Sequence, residues 1–149
     1  MSKEMAYYYN QKANTMLEKG NYLNAASYYK KAISLLPEDP MFYHNIGVCY
    51  MLSEDYEKAS KFLEIALEKG IDLDETNLYL AHSLYEIEKY EDILHLKEPQ
   101  DGQNKINFLI IKSKAALKSG NSEVAKKIVS HLKISGYNSQ ELELIEKMI

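Results

Sequence analysis

Two stretches decide the fold: GNYLNAASYYKKA at 20–32 and EDYEKASKFLEIA at 54–66. They superimpose at an offset of 34 residues, with Tyr22 on Tyr56, Ala25 on Ala59 and Ala32 on Ala66. The same offset runs outward from them. Ala13, Gly47 and Ala81 form one series, Met16, Tyr50 and Leu84 another, and Tyr90 and Ile93 continue the tyrosine and alanine series. Small and bulky residues that keep step in this way mark a stacked helix-turn-helix array. One such unit cannot bury its apolar face alone, so it stacks on its neighbours into a solenoid.

Between the series, the three- and four-residue spacing of Tyr9, Ala13 and Met16, and of Ala25, Tyr28 or Tyr29 and Ala32, predicts helices over 3–19 and 22–36. Gly20-Asn21 separates them, and Pro37-Glu38-Asp39-Pro40 closes the pair, with Asp39 as the cap of the next helix. The second pair is expected at 40–53 and 56–69, ending at Gly70. Asp72 with Glu75 resembles a capping box ahead of a third pair at 73–87 and 90–97, which the run Lys97-Glu98-Pro99 then stops. A fourth pair at 103–119 and 122–135 is two residues out of phase, because Ser113 follows Ala81 by 32. A last helix is expected from Asn138, with Glu141 at capping-box distance, to cover the end of the array.

Composition limits the function classes. At 149 residues with 46% hydrophobic and 27% charged residues, the chain reads as one ordinary globular domain. A net charge of −4 argues against a general nucleic-acid binder, and no apolar run suits membrane insertion or a signal peptide. The single cysteine, Cys49, forms no intrachain disulfide, and the expected compartment is cytoplasmic. His44, His82, His95 and His131 lack metal-ligand spacing, so no metal and no cofactor are expected. No phosphate loop, paired-carboxylate motif or nucleophile elbow is visible, and no catalytic residue is assigned.

The pattern resembles the tetratricopeptide repeat family. Small residues stand at Ala13, Gly47 and Ala81, turns of Gly-Asp-Tyr type at Gly20-Asn21-Tyr22 and Glu54-Asp55-Tyr56, and a closing proline at Pro37. The resemblance is strong over 6–73, holds for the first helix of the third pair and weakens in the fourth. It implies an all-α helical-hairpin solenoid of three to four helix pairs plus a C-terminal capping helix. The expected organisation is a single domain over 1–149, with repeats near 6–39, 40–73, 74–99 and 106–137 and the cap at 138–149.

The resemblance also implies a concave face lined by the first helix of each pair. Projected onto this chain, the binding residues are Asn10, Asn14, Met41, His44, Asn45, Val48, Met51, Leu78, Tyr79, His82 and Tyr85, with Lys114 among the residues added by the fourth pair. Amides suit an extended backbone, and soft apolar side chains accommodate varied partners. The carboxylate clamp of some family members resembles two amides with three cations. Asn14 and Asn45 match the amides, but Asn10, Glu75 and Tyr79 occupy the basic places, so charge-assisted capture of a carboxylate is not expected. The implied function is a non-catalytic scaffold or adaptor for a protein or peptide partner. The alternatives are a small dedicated chaperone for an apolar client and a self-assembling homo-oligomer.

Overall fold

The computed structural model describes residues 2–149, so Met1 of the expected domain lies outside them. All regular structure among the described residues is helical: α1 (Ser2–Glu18), α2 (Tyr22–Leu35), α3 (Pro40–Leu52), α4 (Tyr56–Glu68), α5 (Asp74–Glu86), α6 (Tyr90–Ile93), α7 (Gly102–Lys118), α8 (Ser122–Ile134) and α9 (Gln140–Lys147). Helices α1–α2, α3–α4 and α7–α8 pack as hairpins, while α2 packs on α3 and α4 on α5. The result is a right-through stack of helix pairs, the expected solenoid.

The 34-residue series are the core. Ala13, Ala81 and Ser113 are fully buried, as are Ala25, Ala59, Ile93 and Ala125, and Ala32 with Ala66. Small residues are required because the helices of a pair touch there. A Cβ on Gly47 would lie 2.7 Å from Leu63 Cγ and 2.8 Å from its Cδ2, so Leu63 fills the space that a side chain at 47 would need. The buried side chains fall into one large cluster from α4 to the C-terminus and smaller ones among α1–α4.

The turns are equally regular. Where α1, α3, α5 and α7 end, the backbone turns left-handed at Gly20, Glu54, Glu88 and Gly120. The next amide donates back to Met16, Tyr50, Leu84 and Ala116, at 2.9, 2.8, 2.9 and 2.7 Å. This satisfies carbonyls that the helix end leaves without partners. Asp39 caps α3 through the Met41 amide at 3.0 Å, with Pro40 in the first turn, where no amide donor is missed. Two expected caps are corrected. Leu73 precedes α5 with no side-chain cap, so Asp72 does not serve there. Ser139, rather than Asn138, caps α9 by accepting from the Leu142 amide at 3.1 Å.

The third pair departs most from the expectation. Its second helix, α6, spans four residues and stops at Ile93 instead of reaching 97. Continuing it would bring Lys97 to the place that Leu63 holds, fully buried, one repeat earlier. Pro99 further disfavours helix at the residue before it. The chain crosses instead as a loop, burying Pro99 and half-burying Leu96. Its end is pinned where the Asp101 amide donates to Asp74 Oδ2 at 2.9 Å. With α6 curtailed, α7 packs broadly on α5.

Candidate peptide-binding face

The odd-numbered helices form one row, and polar side chains tie each to the next. Asn45 Nδ2 on α3 donates to Asn10 Oδ1 on α1 at 3.3 Å. The His44 ring lies 2.8 Å from the Thr76 hydroxyl of α5 and stacks on Tyr79, with centroids 6.0 Å apart. Asn104 Nδ2 on α7 donates to Glu75 Oε1 on α5 at 3.3 Å. Lys114 Nζ sits 5.1 Å over the Tyr85 ring and 3.4 Å from Glu141 of α9. Helix α9 packs on α8 and α7, so it extends the stack at that end.

The expected binding residues divide by accessibility. Met41 and Asn14 are exposed, while Asn10, Asn45, Val48, Met51, Tyr79, His82 and Tyr85 are half-buried, each with an open edge. His44 and Leu78 are different, at 7% and 8% exposed. Leu78 belongs to the large core cluster, and His44 is enclosed between α3 and α5. Neither offers useful surface to a partner, which corrects the reading of His44 as a surface group. His82 does not join His44 either, since its ring meets the edge of Tyr56 at the start of α4, 5.4 Å away. The amides are held before any ligand arrives: Asn14 Oδ1 accepts from the Tyr29 hydroxyl, and Asn45 is tied to Asn10.

Electrostatics follow burial. Desolvation lowers the pKa of His44, with the Glu75 charge opposing it, so the ring is held neutral. Burial pushes the Cys49 thiol up to about 12, which leaves it without the thiolate needed for reaction. Burial also raises the Tyr29 and Tyr85 hydroxyls, so both remain donors at neutral pH. Lys114 supplies a cation on this row, but its charge is shared with Glu141 and the Tyr85 face. At the places where a carboxylate clamp needs cations, Glu75 is engaged by Asn104 and Tyr79 by His44. No group of three or more His, Cys, Asp or Glu side chains among the described residues could hold a metal ion. No helix among them is long and apolar enough to cross a membrane.

Sequence reasoning did not foresee the Thr76 hydroxyl or the Glu75–Asn104 bond. Both join residues on adjacent odd helices, 32 and 29 positions apart. The only signal for them was near-repeat spacing between polar residues.

Residues 16–72 match the sequence profile of the tetratricopeptide repeat. A curated relative, the anaphase-promoting complex subunit CDC16 of Saccharomyces cerevisiae, is 42% identical over 55 residues. That alignment covers 36% of this chain and 6% of the yeast subunit, so the chain spans a small part of that relative's length. Among solved structures, PilF of Pseudomonas aeruginosa superimposes with a TM-score of 0.72 at 20% identity, covering 97% of this chain and 67% of that one. YrrB, described as a tetratricopeptide protein with an unusual peptide-binding site, gives a TM-score of 0.62 at 17% identity over 95% of this chain and 91% of its own. The first tetratricopeptide domain of RPAP3, bound to the HSP90 peptide SRMEEVD, gives 0.58 at 16% identity over 88% and 98%. At these identities the likeness is one of fold.

Proposed function

We propose that this chain, whose residues 16–72 match the tetratricopeptide repeat profile and whose fold is that of a tetratricopeptide-like solenoid, is a non-catalytic interaction scaffold whose row of odd helices binds an extended or helical segment of a protein partner. The observation that carries this reading is the run of half-buried, pre-positioned groups from Asn10 and Asn45 through Val48 and Met51 to Tyr79, His82 and Tyr85. Such groups lose little freedom on binding, because neighbours already fix them. The mixture of amide, thioether and aromatic surface suits a partner with a polar backbone and apolar side chains. The peptide-bound state of the RPAP3 domain supports the reading at the level of fold.

The same apolar share of the face supports a dedicated chaperone for an apolar client segment as the second reading. Self-association remains the third. All three use this face, and they differ in the occupant.

The experiment is a titration of the recovered partner against wild type and the double variant Tyr79→Ala/Met51→Ala, at low and high salt. Binding anchors are few and often aromatic, and truncating one costs about 2 kcal/mol or more. The expected result is loss of binding with helical content retained, and little salt dependence, since Lys114 is already paired. Equal affinity for both proteins removes this face from the mechanism, and a steep salt dependence restores a charge-reading adaptor. Mass in solution at two concentrations separates self-association from the other two readings.

A further inference from the structure

Helix α6 has four residues where its counterpart α4 has thirteen, which leaves the array short of about 13 Å of helix at 1.5 Å per residue. Beside the vacated place, two hollows of about 410 and 400 Å³ open between α7 and α8. They share Lys105, Leu109 and His131, so they form one continuous cleft. Leu109 and Ile128 are buried beneath it, and the half-buried Val124, Ile106 and Tyr137 form its accessible apolar floor. The repeat shows what is missing. Lys112 stands at the place of Leu80 and, one repeat earlier, of Ile46, both buried against the adjoining pair. In the cleft, Lys112 turns aside to Glu98 at 3.6 Å instead.

Charge says what would fit. Glu98 is the acidic residue on the rim, and Lys112 engages it. Lys105 and Lys127 have no acidic partner among the described residues, although the chain as a whole carries −4. The cleft therefore combines an apolar floor with a cationic rim on an otherwise acidic protein.

We propose that the cleft between α7 and α8 is a second docking site, which receives an acidic amphipathic helix of a partner protein alongside the loop that follows the curtailed α6. The incoming helix lays its apolar stripe on Val124, Ile106 and Tyr137 and its carboxylates beside Lys105 and Lys127. The site uses the side of α7 that faces α8, apart from the residues of α1, α3 and α5 on the odd-helix row, and does not depend on the function assigned to that row.

The test uses the whole chain and a defined probe. The probe is an acetylated, amidated peptide with the sequence of residues 56–68, the complete counterpart helix, carrying Lys58→Glu and Lys61→Glu. Fluorescence anisotropy is expected to show saturable binding, weakened at least tenfold by Lys105→Glu/Lys127→Glu and left unchanged by the same charge reversal at the exposed Lys3 and Lys19 of the N-terminal hairpin. Lys127 is exposed and Lys105 half-buried, and a thermal melt checks that the double variant keeps its fold. Amide shifts in a two-dimensional NMR titration are expected at Ile106, Val124 and Tyr137, and this reading needs no variant. Absence of binding overturns the proposal. So does equal affinity for a scrambled peptide of the same composition, which would mean charge attraction alone, or a shift map confined to α1, α3 and α5.

Discussion

Four residues share one place in the repeat and one left-handed backbone, yet two are glycine and two are glutamate. Glu54 and Glu88, both at φ 63°, do what Gly20 and Gly120 do without a Cβ penalty. Left-handed backbone costs a side-chain-bearing residue roughly 1–2 kcal/mol, partly offset by its smaller entropy loss on folding. Glu54→Gly and Glu88→Gly are each expected to stabilise by about 0.5–1 kcal/mol. At about 2–4 °C per kcal/mol for this length, a thermal melt of the double variant resolves the gain. Ser83 is a second local defect, since its buried hydroxyl has no hydrogen-bond partner. The repeat places Cys49 and Ala115 there, both fully buried and neither needing one. Ser83→Ala should therefore raise the unfolding free energy by about 1 kcal/mol, read as a higher denaturation midpoint at unchanged slope, and a loss of stability would show that the hydroxyl is satisfied in solution. The burial of Ala13, Ala25 and Ala59 was legible from the sequence because period alone dictates it. The strain at Glu54 was not, because only the dihedral reveals that the turn is the same one.

Between elements, the contact of α3 with α5 rests on His44, which the sequence assigned to an open surface. The assignment failed because helix projection gives direction but not depth: Thr76 and Tyr79 rise from α5 to enclose the ring. This burial has a pH consequence. The folded chain holds His44 neutral below the usual value of 6.5, whereas the unfolded chain takes up a proton there. The unfolded state then binds more protons, so stability falls as the pH drops from 7 towards 5. His44→Gln removes the titrating ring, and its melts are expected to show a shallower dependence across that window. An unchanged slope would place the titration elsewhere. Asp74 acts in the same sense at lower pH, since backbone donors from Gln100 and Asp101 lower its pKa and its hold on the loop weakens only in acid.

Across the whole molecule, stability in a stack of this kind is a sum over neighbouring contacts, and among the internal helices the curtailed α6 adds least to it. The loop 94–101 makes few backbone bonds, and its anchors are Pro99 and the Asp74 carboxylate. Hydrogen exchange should find it the most rapidly exchanging internal segment, well ahead of α3, and equal protection would contradict this. The stop at Lys97-Glu98-Pro99 announced the break in the sequence, but not that α7 would close onto α5, because that depends on space left by residues that are absent. The break also bears on how a partner lies along the row. A perfectly periodic surface would offer a bound strand several equivalent alignments, each displaced by one repeat. The step from 34 to 32 residues between Ala81 and Ser113 makes those alignments inequivalent. A ruler with one short division can be read in only one position, and an extended partner bound as proposed would be held in a single register.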